Sequence, residues 1–210
     1  MTDRRELLLD AAITVLGTRG LRQLTHRAVD AEAGLPEGST SNMFRTREAL
    51  ISGVLDRLVE LETAAWQRLA SGSAAAVAGP GPGAQVSPER FAALVATMMR
   101  ELVGEARQLT LARHAIFHEA AFHPGLQERI AASQARLAEW GVPWLARLGS
   151  AQPESDYRTL LGLIDGLLLI QLASPVPDFD PEPSILVMLR GLGGGDARST
   201  RSPGTDPTCD

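Results

Sequence analysis

Apolar residues recur along this chain at three- and four-residue spacing, and nowhere do they alternate in the two-residue rhythm of a strand. The period predicts an all-α protein. The first helix spans about Asp3 to Thr18, with Leu8, Ala12, Val15 and Leu16 on one face and Gly20 just past its end. Thr25 is placed to cap a second helix that stops at Gly34, and Pro36 presets a third that reaches about Phe44. Thr46 caps a longer fourth helix from Arg47 to about Ala70, with Leu50, Val54, Leu58, Leu61 and Ala65 facing inward. The uncharged stretch from Ser71 to Pro88 reads as a flexible loop. Helices resume over about 88–104, 107–122 and 124–148, the last expected to kink or split at Pro143. Residues 155–173 form the most apolar helix; a helix apolar all round is buried on all sides, which in a body this small is easier if part of it packs on a second subunit. A short helix follows over about 182–192, and the remainder from Gly193 reads as a disordered tail. The expected organisation is a head over 1–47, a helical body over 48–192 and the tail over 193–210.

Hydrophobic residues make up 44% of the chain and charged residues 21%, enough apolar material for a buried core. The single cysteine, Cys209, cannot form an intramolecular disulfide and suits a reducing compartment. The start of the chain lacks the apolar run of a signal peptide, and no apolar stretch reaches the ~18 residues of a membrane span, so a cytoplasmic protein is expected. A net charge of -5 argues at first against a nucleic-acid partner. Its distribution changes that picture. The first 50 residues balance their arginines against their carboxylates, and the negative excess lies beyond them. A neutral head can still clamp phosphate with clustered arginines, although it should bind random DNA weakly. Every basic residue is Arg, which reads first as genome composition and second as a preference for bidentate contacts.

The second and third helices, joined by a tight turn at Gly34 and followed at once by a fourth, have helix-turn-helix geometry, which presents a short helix to the major groove. The marks Ala11-Ala12, Gly20, Leu24-Thr25, Ala33-Gly34-Leu35, Gly38, Phe44 and Arg47-Glu48-Ala49-Leu50 make about residues 5–60 resemble the TetR family of bacterial transcription regulators. The body is similar only in helix content and length. The resemblance implies a homodimer with a small-molecule pocket in the body, repressing transcription until ligand binds. Two departures stand out. Thr40-Ser41 replaces a common Leu-Tyr pair, so Ser41 should contribute less to phosphate contact, and Thr40 either loosens the head or bonds backbone. Arg47 replaces the usual Lys and keeps its charge.

Residue chemistry gives a DNA-contact set. Thr25 and His26 stand at the start of the second helix, where free N–H groups can take a phosphate, and Arg27 reaches phosphate or guanine. Gly38 allows close approach, and Glu37, Ser39, Ser41, Asn42 and Met43 surround the exposed face, with Asn42 suited to adenine and Glu37 to cytosine. Arg45 and Arg47 are placed to clamp phosphate. The partner would be a near-palindromic operator read by two heads.

For the body, the larger side chains Trp66, Met98, Met99, Phe117, Phe122, Trp140 and Trp144 are expected to line an effector pocket, with His114, His118 and Asp165 as polar anchors. Asp165, inside the most apolar helix, must face a polar cavity, pair with an Arg or cap a neighbouring helix. His114 and His118 lie four apart and could chelate a metal, but satisfied or pocket-lining histidines are the stronger reading; no metal and no cofactor are expected. Leu160, Leu161, Ile164, Leu168, Leu186 and Leu189 are assigned to a four-helix dimer interface, with the Gly162/Gly166 pair marking close helix approach. The leading reading is a ligand-responsive dimeric repressor. Alternatives are an activator, a helical interaction protein that has lost DNA binding, and an enzyme. The last would need a convergent set that only His114, His118 and Glu119 begin to supply.

Overall fold

The computed structural model describes the backbone of residues 3–77 and 86–192, and side chains within 3–65 and 86–192. The described chain is helical, with no strand: α1 (Arg4–Arg19), α2 (His26–Glu32), α3 (Ser39–Met43), α4 (Arg47–Val77), α5 (Pro88–Val103), α6 (Arg107–Ala120), α7 (Pro124–Arg147), α8 (Pro153–Ala173) and α9 (Glu182–Gly191). The tail, Trp66's side chain and the later part of the expected loop lie outside the described residues.

Local chemistry accounts for the boundaries. Asp3 caps α1 by accepting from the Arg5 N–H, Thr25 caps α2 by accepting from the Ala28 N–H at 3.1 Å, and Ser87 caps α5. Gly34 and Gly38 hold φ of 64° and 92°, a region that favours glycine. Because Gly38 is left-handed it cannot sit inside a helix, so α3 begins at Ser39 and not at Pro36 as expected. The fourth helix outlasts its expected end and runs on to Val77. Three alanines in succession at 74–76, with no proline before position 80, keep the helical state favourable. Pro143 does not split α7, which runs on to Arg147. Pro143 and Glu139 are both exposed, so water can satisfy the carbonyl that the missing N–H would have bonded.

Two apolar cores result. The first joins Leu8, Leu9, Ala12, Val15 and Leu16 of α1 and Val29 of α2 to Leu50, Val54 and Leu58 of α4, Ala112 and Ile116 of α6, and Leu126 and Ile130 of α7. It therefore runs from the head straight into the body. The closest approach is at Gly17, where an added Cβ would stand 2.3 Å from the Gln108 carbonyl oxygen. The second core gathers Phe91, Val95 and Met99 of α5, Leu145 of α7, Tyr157, Leu160, Ile164 and Leu168 of α8, and Ile185 and Leu189 of α9. At Gly141 of α7 an added Cβ would meet the Tyr157 ring at 2.1 Å, so glycine sets the α7–α8 spacing.

Within one protomer the most apolar helix is not buried on all sides. Leu169 and Ile170 of α8 are 52% and 66% exposed, and Val187 of α9 is 73% exposed. Gly162 and Gly166 open toward space that a Cβ would not fill with any contact. The expected interface residues Leu160, Ile164, Leu168 and Leu189 instead point into the second core, and Leu161 and Leu186 pack against it. The face of α8 that carries Leu160, Ile164 and Leu168 is turned inward, and the one that carries Gly162, Gly166 and Ile170 is turned outward. Among the described residues no helix is long and apolar enough to cross a membrane.

Candidate nucleic-acid interface and effector cavity

The head is organised around a carboxylate that the sequence reading passed over. Asp30, near the end of α2, is 1% exposed. Its Oδ2 accepts from the Gly38 N–H at 2.8 Å, and its Oδ1 accepts from the Thr40 N–H at 2.7 Å and the Thr40 hydroxyl at 2.5 Å. Burial pushes this carboxyl upward, but the bonds from Thr40 and Gly38 outweigh it and hold it below its ordinary value. Thr40, wholly buried, thus bonds a side chain where either loosening or a backbone bond was expected. The departure at Thr40 and the carboxylate at Asp30 belong together, since a hydroxyl replaces apolar packing with a hydrogen-bonded latch.

Around that latch, Thr25, Arg27, Glu37, Ser41, Asn42, Met43, Arg45 and Arg47 are all exposed. Ser39 is corrected: it is buried, takes a bond from Arg4 at 2.9 Å and donates to the Pro36 carbonyl at 2.6 Å, so it ties α1 to α3. Gly38 is half-buried, and its N–H is committed to Asp30. Arg27 pairs with Glu37 at 3.2 Å on the open surface, a contact that water weakens and that DNA could exchange. The Ser41 hydroxyl turns back to the Gly38 carbonyl at 3.1 Å. His26 is half-buried, with Nε2 buried and lacking a hydrogen-bond partner. Arg47 donates to the Leu21 carbonyl at 3.0 Å and lies 3.8 Å from Glu119 of α6. Of the two expected phosphate clamps, it is the one with a structural commitment as well.

In the body, a cavity of about 100 Å³ lies between α4, α5, α6, α7 and α8. Among the described residues expected to line an effector pocket, Met98 and Asp165 do so and the others do not. Met99 is fully buried in the second core, and Trp140 and Trp144 pack on each other at 6.0 Å, with Trp144 also beside Phe91. Phe117 lies under the Arg113 guanidinium at 4.2 Å, and Phe122 is 70% exposed beside His118, itself exposed. His114 is occupied with its own helix, Nδ1 lying 2.8 Å from the Thr110 carbonyl. The structure thus does not gather His114, His118 and Glu119, and Glu119 is taken by His123 at 3.0 Å.

The cavity has a charged wall instead. Arg113 of α6 meets Glu62 of α4 at 2.9 Å through Nε and Asp165 of α8 at 2.7 Å through Nη1. Asp165 therefore both borders the cavity and pairs with an Arg. Burial pushes the Glu62 carboxyl up, Arg113 pulls it back, and Asp165 pushes it up again. The nearby Tyr157 hydroxyl is pushed up to about 12, by burial first and by Glu62 second. Glu62 and Arg113 were invisible in the sequence, because each sits in an ordinary amphipathic helix and only the packing of α4 on α6 brings them together. A second cleft, about 430 Å³, separates head from body and is lined by Arg47, Glu48, Glu119, His123 and Arg129 among others. Arg129 there is held by Asp56 at 2.6 Å.

Residues 86–195, just over half the chain, match the model of the tetracyclin repressor-like C-terminal domain. No curated protein gives a significant sequence match. Among solved structures, the multidrug binding protein EbrR complexed with ethidium is 27% identical with a TM-score of 0.65, covering 90% of this chain and 98% of that one. A TetR family member from Streptomyces coelicolor A3 is 26% identical with a TM-score of 0.64, covering 91% and 98%. A Rhodococcus protein assigned to the TetR-family regulators is 19% identical with a TM-score of 0.71, covering 91% and 100%, and shares the fold. The family match falls on α5 to α9, the half in which the sequence offered only helix content and length, while the helix-turn-helix of α2 and α3 completes the architecture. The chain belongs to the TetR family of transcriptional regulators.

Proposed function

We propose that this regulator is a ligand-responsive dimeric repressor that leaves a near-palindromic operator when a small molecule enters the cavity beside Arg113. The observation that carries this reading is the continuity of the first core, which ties α2 and Phe44, and through the Asp30 latch α3, to the helices α4 and α6 that wall the cavity. At about 100 Å³ the cavity is smaller than the ~300 Å³ at which ordinary ligand pockets begin. A ligand of ordinary size must therefore part α4 from α6 or α8. It favours the parted state only by binding that state more tightly, and parted helices carry the heads to a different separation. EbrR, complexed with ethidium, supports a small-molecule effector for this chain as well.

The test is a gel shift with the DNA flanking the chain's own gene, with and without salt. A sequence-selective, salt-sensitive shift is expected; its absence at micromolar protein defeats the reading. Arg45→Ala should weaken binding similarly across sequences and flatten the salt slope by about one unit, because a phosphate contact releases counterions without reading bases. Unchanged affinity would remove Arg45 from the interface.

The dimer is proposed through the outward face of α8 and α9: Gly162, Gly166, Leu169 and Ile170 with Val187. Two α8 helices can come close along the glycines, and each buried Leu, Ile or Val contributes about 1.5–3 kcal/mol. Ile170→Glu places a carboxylate in that seam at no cost to the protomer, where Ile170 is already exposed. Light scattering should show a dimer for the wild type and single chains for the variant. A wild type that stays single-chained refutes this arrangement.

A further inference from the structure

The charged wall of the cavity specifies the kind of molecule that fills it, given the effector reading above. Two carboxylates, Glu62 and Asp165, face one guanidinium, Arg113. An arginine in a protein keeps its proton, so with both acids ionised the group carries one negative charge in excess. The surrounding wall includes Leu61, Met98, Leu102, Leu137, Leu161 and Ile164 and returns none of that charge. The two acids do not hold Arg113 equally. Asp165 accepts through both oxygens, at 2.7 and 3.4 Å, whereas Glu62 meets the guanidinium through Oε1. His114, also near Glu62, commits Nδ1 to the Thr110 carbonyl and leaves Nε2 buried without a hydrogen-bond partner, so it makes no bond to Glu62.

An anion in this cavity would raise the excess to two and would have to evict a carboxylate already bonded to Arg113. A neutral molecule leaves the excess to be removed by a proton on Glu62, the direction in which burial pushes that acid, and so weakens its bond to Arg113. A monocation cancels it. We infer that the cavity takes a lipophilic monocation, an ammonium or amidinium on an apolar body, with its charge at Glu62 and its body among Met98, Leu102 and Leu161. The spare carboxylate has a second consequence. Removing either acid leaves Arg113 paired with the other, so the cavity survives the substitution that tests it.

The experiment titrates the full chain calorimetrically with three molecules of one shape: benzyltrimethylammonium, neopentylbenzene (carbon in place of the charged nitrogen) and the anion benzylsulfonate. The wild type should bind the cation at least about tenfold more tightly than the hydrocarbon, as expected for a desolvated charge contact. It should not bind the sulfonate measurably. Glu62→Gln should erase the preference for the cation, weakening its binding without weakening that of the hydrocarbon, and Asp165→Asn should reduce it in the same direction. Equal binding of cation and hydrocarbon, tightest binding of the sulfonate, or an unchanged preference in both variants overturns the inference, as does failure of all three to bind the wild type at millimolar concentration. A parallel gel shift separates the two readings. If the cation binds in a Glu62-dependent way while the duplex stays bound, the charge assignment stands and the effector role falls.

Discussion

Asp30→Ala should abolish DNA binding while leaving the α5–α9 body helical. The variant strips the partner from the Gly38 N–H, the Thr40 N–H and the Thr40 hydroxyl at once. Each buried group left unpaired costs about 1–3 kcal/mol, a loss that together approaches the ~5–15 kcal/mol by which a whole domain is stable. Five residues cannot hold α3 helical unaided, since nucleation alone is unfavourable. The helix that carries Asn42 and Met43 therefore loses its orientation before the rest of the chain loses its fold. The duplex that shifts the wild type should go unshifted by the variant, while circular dichroism retains most of the helical signal. Wild-type affinity in Asp30→Ala would mean that α3 is held by other contacts. The latch also sets a pH dependence. Asp30 titrates below its ordinary 3.8 in the folded chain, so its stabilisation is complete above that value and is lost as pH falls through the lower folded one. Asp30→Asn should lack this acid-sensitive component in thermal unfolding.

Gly17→Ala should separate the head from the body. On propensity alone, alanine in the interior of α1 would gain about 1 kcal/mol over glycine. The packing outweighs it. The new Cβ would lie 2.3, 2.7 and 2.8 Å from the carbonyl oxygen, carbonyl carbon and Cα of Gln108, all backbone atoms of α6 that cannot rotate aside. Overpacking of this kind costs about 1–3 kcal/mol and often more. At roughly 2–4 °C per kcal/mol for a chain of this size, the melting temperature should fall by several degrees. Ligand-dependent release of DNA should weaken in the same variant, because α1 no longer rests on α6. An unchanged melting temperature would show that the two helices have slack at this point.

Much of this was legible beforehand, and the exceptions share one physical cause. Caps, glycine turns and apolar spacing are local, so the element order and the exposure of Thr25, Arg27, Asn42 and Arg45 could be read directly. Glu62 and Arg113 could not, because they are 51 positions apart and meet only through packing. Large side chains were a poor guide to the cavity. Trp144 and Met99 go into the second core, and the cavity is walled largely by leucines, with Met98, Glu62, Arg113 and Asp165 among them. In α8 the period could not fix a phase, because leucine and isoleucine occupied nine of the thirteen positions from Leu160 to Leu172 and fell on every face. Two signals went unused. Gly17 stood inside an otherwise helical pattern, where a glycine usually marks close approach, and Asp30 stood between apolar residues on α2.

The core that α1, α4 and α6 share also limits how such a molecule can be re-engineered. A chimera that joins this helix-turn-helix head to another regulator's body at position 47 would sever Leu8, Ala12 and Val15 from Ala112 and Ile116, and would offer each half a foreign and mismatched surface. Successful grafts would have to carry the facing side of α6 along with the head, so that the unit of exchange is larger than the helix-turn-helix itself.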